Sequence, residues 1–123
     1  SYELIWHMHD NTTTLAGNTV TNTFPDGVGI AIASSAGTVS VARGVKHPVY
    51  QGWLPRFGIG DVEHFPIPTA LNKGEFASSL RTVTVLCPFR DGAAPALSVE
   101  ASSDVKDTAF TIRLGDASVT VEE

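Results

Sequence analysis

Apolar and polar residues alternate with a period of two along most of the chain. In the first ten residues Leu4, Trp6 and Met8 fall on one side of such a pattern, and Glu3, Ile5, His7 and His9 fall on the other. This alternation is typical of β-strands that place one face on a core. We expect strands at about residues 2–8, 18–24, 28–34, 37–43, 61–66, 76–88, 96–102, 108–114 and 117–122.

Turn residues separate these segments, and no segment carries a helical stripe. Pro25-Asp26-Gly27 is a turn sequence, Ser35-Ala36-Gly37 predicts a short hairpin connection, and Gly115-Asp116 predicts a second hairpin. Residues 83–89 are almost continuously apolar, which favours a central strand covered on both faces. Many short strands without helices predict an all-β fold, an antiparallel two-sheet β-sandwich.

The length and net charge of the chain limit the number of domains and the classes of partner that we expect. The 123 residues predict one domain, 1–123, with a core that needs no disulfide, and the single cysteine, Cys87, is expected to be a buried, unreactive thiol. The net charge of −5 argues against nucleic-acid or membrane partners, and no stretch approaches the roughly 18 apolar residues of a membrane span. We expect no cofactor. The chain begins within a strand-like sequence without methionine, so we expect a fragment of a longer protein.

Residues 42–68 break the regular pattern. The segment contains four prolines and is too irregular for a simple hairpin, as expected of a long ordered connection that carries function or docks against a neighbour. No acidic residue occurs between Asp26 and Asp61, so residues 42–60 within this segment are locally basic.

This basic segment is the candidate ligand site. Exposed aromatic rings stack on the apolar faces of sugars, and cations pair with uronate or sulfate groups. An acidic polysaccharide is therefore a possible partner, although the aromatic rings could instead anchor the segment in the core. The candidate substrate-binding residues are Arg43, Lys46, His47, Tyr50, Trp53 and Arg56.

The two histidines near the start allow a second hypothesis. On a strand, His7 and His9 would share a face at roughly 7 Å and could supply two metal ligands. A zinc site needs at least three protein ligands, so we predict no metal site and expect these rings to face solvent or a partner domain.

Several motifs, in order, carry a resemblance to a known family. "YELIWHMHD", "YQGWLPRFG", "PIPTAL" and "RTVTVLCPF" together resemble the C-terminal β-sandwich of heparinase II/III-like polysaccharide lyases. The resemblance covers essentially the whole chain. It departs from the common pattern at Leu54, where many relatives have a small or polar residue.

The resemblance implies a non-catalytic accessory domain of a bacterial, secreted or periplasmic lyase. The parent enzyme would act by β-elimination on a uronate-containing polysaccharide such as a glycosaminoglycan or alginate, and its catalytic residues would lie mainly in an N-terminal α/α-toroid. We therefore expect no catalytic residue and no activity in this chain by itself. Two alternatives stay open: an independent carbohydrate-binding module for acidic glycans, and a purely structural immunoglobulin-like domain.

Overall fold

The computed structural model describes residues 1–57, 62–77, 81–101 and 109–122, with only the backbone described at 56, 57 and 62. The described residues form strands and no helix. The strands are β1 (Tyr2–His7), β2 (Thr12–Ala16), β3 (Thr19–Thr23), β4 (Gly29–Ser34), β5 (Thr38–Ala42), β6 (Trp53–Phe57), β7 (Val62–Pro66), β8 (Thr69–Gly74), β9 (Thr84–Phe89), β10 (Leu97–Ala101), β11 (Phe110–Leu114) and β12 (Ala117–Val121).

All described strand pairs are antiparallel. The front sheet has the order β1-β8-β5, the central sheet β2-β3-β4-β9 and the back sheet β10-β11-β12, while β6 and β7 form a separate two-stranded hairpin. The predicted all-β antiparallel sandwich is confirmed. Among the described strands it contains three stacked sheets, where the sequence pattern indicated two.

The central strand β4 explains this layering. Ile32 faces the front sheet, in a buried cluster with Met8, Val20, Val39 and Ala70. Its neighbours Ala31 and Ala33 face the back sheet, in a cluster with Leu97 and Val99. Successive strand residues point to opposite faces, so one apolar strand closes two cores.

The predicted central strand in residues 83–89 is wrong in position. In the described central sheet, β9 lies beside β4 at the end of the strand order. Leu86 lies opposite Ile32 and is 52% exposed, so this face of β9 is not covered as the same face of β4 is. The other face of β9 packs on the back sheet, and there Cys87 is half-buried rather than buried.

The connection at residues 35–37 is also not a hairpin. Its flanking strands, β4 and β5, belong to different sheets, so the connection crosses from one layer to the next. The fully buried Asn72 of β8 holds this crossing, because its Nδ2 donates a hydrogen bond to the Ala36 carbonyl (3.0 Å). The Gly115-Asp116 turn does join a hairpin, β11–β12, as predicted.

Three strands were not predicted. The segment Thr12–Ala16 pairs with β3, Trp53–Phe57 pairs with β7, and Thr69–Gly74 is the middle strand of the front sheet. The described part of the 42–68 segment therefore does contain an antiparallel strand pair, β6–β7, preceded by a loop at residues 44–52. No helix in the described ranges is long and apolar enough to cross a bilayer.

The two-sided burial of β4 makes a prediction about stability. We expect Ile32→Ala to lower the free energy of unfolding by about 2–5 kcal/mol, because it opens a cavity between the front and central sheets. The matched control is Leu86→Ala, which removes a similar volume from the same face of the neighbouring strand and should cost about 1 kcal/mol or less. Urea unfolding measures both values, and equal losses would contradict the proposed core.

Candidate functional site

A pocket of about 340 Å³ lies on the outer face of the front sheet. The sheet forms its floor, the 44–52 loop and the hairpin form its wall, and its volume is at the small end of ligand sites. The lining residues are Ile5, His7, Thr69 and Leu71 from the sheet, Tyr50, Gln51 and Gly52 from the loop, and Trp53, Pro55 and His64 from the hairpin.

The alternation of side chains along β1 and β8 determines which residues form the floor of the pocket. On β1, Ile5 and His7 alternate with Trp6, which packs on the front core. On β8, Thr69 and Leu71 flank Ala70, which belongs to that core. Thr69 and Leu71 are only 1% and 3% exposed although they face away from the core. The loop and hairpin therefore cover this part of the sheet.

Backbone hydrogen bonds close the 44–52 loop. Val45 and Gln51 form a two-way bridge with N···O distances of 2.9 and 3.0 Å. The Gly52 carbonyl accepts hydrogen bonds from the Gly44 N–H (3.0 Å) and the Ile67 N–H (2.9 Å). Because one oxygen joins both segments, the loop and the end of the hairpin are held together.

Trp53 anchors this loop by its side chain. Its Nε1–H donates to the Val45 carbonyl (3.0 Å), and the Lys46 ammonium lies 5.7 Å from the centre of its ring. The Tyr50 ring stacks on Trp53, with centroids 5.2 Å apart and an interplanar angle of 20°. The ring of His64 meets Tyr50 edge-on at 5.9 Å. Half-buried Trp53 is thus the support, and Tyr50, which is 53% exposed, presents the accessible aromatic surface.

Acidic side chains from other parts of the chain contact the locally basic segment. Glu3 on β1 pairs with Lys73 (2.8 Å) and accepts a hydrogen bond from Gln51 Nε2 (3.2 Å). Asp10 pairs with Arg43 at 2.7 Å. Residues 42–60 contain no acidic residue in sequence, but acidic side chains from other segments lie beside Arg43 and Gln51 in the fold.

The structure brings together some of the predicted substrate-binding residues. Lys46, Tyr50 and Trp53 are neighbours, and exposed His47 lies in the same loop, where it precedes a cis proline. Arg43 instead lines a second cavity with Asp10, Asn11, Thr12, Phe24 and Pro25. Arg56 belongs to β6, opposite Glu63, and its side chain lies outside the described atoms.

The two early histidines have different surroundings. His7 Nδ1 lies 3.2 Å from the Thr69 hydroxyl, whereas His9 follows the end of β1 and its ring packs against Phe24 with centroids 4.9 Å apart. In the described ranges, no group of three or more His, Cys, Asp or Glu side chains is placed to hold a metal ion.

Several pocket residues were not predicted from the sequence. His64, Gln51 and Thr69 come from three separate segments, and no spacing rule connects them. Among the pocket residues outside the predicted substrate-binding set, alternation predicts only that Ile5 and His7 share one face of β1.

Comparison with known proteins supports a shared fold. The sequence matches no protein-family model and no curated protein significantly. A solved structure similar to this chain is that of a heparan sulfate lyase HepC mutant from Pedobacter heparinus. The TM-score is 0.65 at 16% identity, over 98% of this chain and 19% of that chain. The common property is the fold. The likeness agrees in part with the resemblance to heparinase II/III-like lyases, and this chain spans about a fifth of that enzyme's length.

The junction at Gly52 makes a prediction about loop closure. Gly52 has a φ of +74°, and a Cβ there would lie 2.7–2.8 Å from backbone atoms of Ala42 and Arg43. We expect Gly52→Ala to destabilise the protein by about 2–4 kcal/mol, the sum of left-handed strain and overpacking.

Gly17→Ala is the matched control for this substitution. Gly17 has a φ of +58°, but a Cβ there would have no neighbour within 4 Å. It should cost about 1–2 kcal/mol, from the backbone conformation alone. Urea unfolding followed by tryptophan fluorescence measures both variants. Equal costs would show that the tight approach at Gly52 contributes nothing.

Proposed function

We propose that this chain is a non-catalytic accessory β-sandwich of a heparinase II/III-like polysaccharide lyase, and that its pocket contacts an acidic polysaccharide substrate. The parent reaction would be β-elimination on a uronate-containing chain. The observation that carries the proposal is the pocket on the front sheet, where exposed Tyr50 stacks on Trp53 and meets His64 edge-on, and where His7 also lines the cavity.

The chemistry of the pocket suits a sugar. A pyranose ring has apolar C–H faces and a rim of hydroxyl groups, and it binds through aromatic stacking together with a few hydrogen bonds. Tyr50 offers the aromatic surface, and Gln51, His7 and His64 offer polar atoms. Lys46, beside Trp53, supplies positive charge near this surface.

The surroundings of the pocket suit a neighbouring domain. Ile5, Val49 and Leu54 are 49%, 57% and 47% exposed and lie on the front sheet, the loop and the hairpin respectively. Apolar side chains concentrated around a pocket often mark an interaction surface. We infer that the catalytic toroid of the parent enzyme packs here, so that substrate is held between the two domains.

Glycan titrations of this chain test the proposal. An accessory domain that holds one or two sugar units should bind uronate-containing oligosaccharides weakly, with a Kd of about 1 mM, equivalent to about 4 kcal/mol. NMR shift changes should be centred on residues 50–53, and a neutral oligosaccharide should cause none. No unsaturated product should form from the polymer.

A Tyr50 variant tests the pocket itself. Tyr50→Ala should weaken binding about five- to tenfold through loss of stacking, and Tyr50→Phe should bind like the unmodified chain. Leu54→Ala is the control, because Leu54 is comparably exposed on the adjacent hairpin but does not line the pocket.

The remaining outcomes distinguish the alternatives. A Kd near 1 μM would favour an independent carbohydrate-binding module, and the absence of saturable binding would favour a purely structural domain. Cleavage of polymer by the purified chain would overturn the non-catalytic assignment.

A further inference from the structure

The hydroxyl group of Thr69 is buried beneath the candidate site. Thr69 is 1% exposed and lies directly opposite His7 in the register of β1 and β8. Its Oγ1 is 3.2 Å from His7 Nδ1 and 3.5 Å from the Ile67 carbonyl oxygen. One buried hydroxyl therefore meets two possible hydrogen-bond partners.

The chemistry of these three groups restricts where the protons lie. A hydroxyl has one proton to donate and two lone pairs to accept with, and a carbonyl oxygen can only accept. Both contacts are hydrogen bonds only if the hydroxyl donates to Ile67 and accepts from the Nδ1–H of His7. In the opposite arrangement the hydroxyl donates to His7 Nδ1, and its contact with the Ile67 carbonyl is lost. Buried polar groups are costly to leave without a partner, so the first arrangement is favoured.

The proton on Nδ1 determines whether Nε2, the other ring nitrogen, donates or accepts a hydrogen bond. In a neutral ring one nitrogen carries hydrogen and the other carries a lone pair, and the hydrogen bond of the first fixes the role of the second. With Nδ1–H bound to Thr69, Nε2 is a hydrogen-bond acceptor in a ring that lines the pocket.

We propose that Thr69 is a positioning residue that holds neutral His7 in the Nδ1–H form, so that Nε2 accepts a hydrogen bond from a sugar hydroxyl in the pocket. The identity of the ligand rests on the proposed function, but the orientation of the ring does not. Thr69 itself touches no sugar in this arrangement and acts through His7.

The form of the His7 ring can be measured directly without ligand. Two-bond ¹H–¹⁵N correlation spectra of the histidine-labelled chain, recorded in alkaline buffer where imidazoles are neutral, report which nitrogen carries hydrogen. We expect the Nδ1–H form at His7. A predominant Nε2–H form in the unmodified chain would overturn the proposal, and this measurement needs no variant to fold.

Substitutions of Thr69 test the cause. Thr69→Val keeps the shape but removes the hydroxyl, and it should abolish the preference for Nδ1–H. Thr69→Ser should restore it. A preference unchanged in the valine variant would overturn the role of Thr69, whatever the variant's stability.

Glycan titration of the same variants tests the consequence. We expect Thr69→Val to weaken binding of a uronate-containing oligosaccharide by about two- to fivefold, because only a fraction of the His7 rings then keep Nε2 as an acceptor and the apparent Kd rises by the inverse of that fraction. Thr69→Ser should bind like the unmodified chain. Unchanged affinity in a valine variant with altered ring signals would overturn the assignment of Nε2 as acceptor. If the unmodified chain shows the Nδ1–H form but binds no glycan, the proposed function fails, while the positioning of His7 by Thr69 stands.

Discussion

The burial of both faces of β4 is the constraint on which the other layers depend. Isoleucines face the front sheet from this strand, and alanines face the back sheet. Isoleucine therefore fills the front core from this strand, whereas in the back core Leu97 and Val99 supply the larger side chains opposite the alanines. The Thr19 hydroxyl adds a polar link between the layers by donating to the Leu97 carbonyl (2.8 Å).

This packing determines which face of the front sheet is available to form a site. Its inner face is used by the core, so its outer face is available for a site, and strand alternation aims Ile5 and His7 outward. The loop and hairpin then bury Thr69 and Leu71 from the other side. Glu3 joins β1 to β8 through Lys73 and to the loop through Gln51, so charged and polar contacts at the rim add to the apolar packing.

Period-two alternation was sufficient to predict most strands and the fold class, but not the three strands that lack it. The threonines of β2 give no apolar alternation, and β6 contains Pro55, a residue that cannot donate to a ladder and is uncommon within strands. In β8 the polar residues Thr69 and Asn72 are buried for their hydrogen bonds, which composition alone does not reveal. The continuous apolar run of residues 83–89 predicts a central strand, but such a run does not show whether the strand lies in the middle of its sheet or at the end of the strand order, where β9 lies.

The candidate site was predictable only in part, for a related reason. Tyr50, Trp53 and Lys46 are close in sequence and form one cluster, so a local inference found them. His7 and Thr69 meet through the pairing of β1 with β8, which are far apart in the chain, and His64 lines the same pocket from the β6–β7 hairpin. The acidic partners of the basic segment come from β1 and the residues after it, so the charge of a segment in sequence differs from the charge around it in space.

The Gly52 carbonyl, which receives hydrogen bonds from Gly44 and Ile67, restricts how this surface can diversify. Insertions or deletions between residues 51 and 53 would shift the register of the bridge and the hairpin together. Changes of length within residues 46–50, beyond the Val45–Gln51 bridge, would leave that junction intact. Homologous chains that recognise different ligands are therefore expected to differ in the length and composition of the loop tip, while the residues around the shared oxygen keep their spacing.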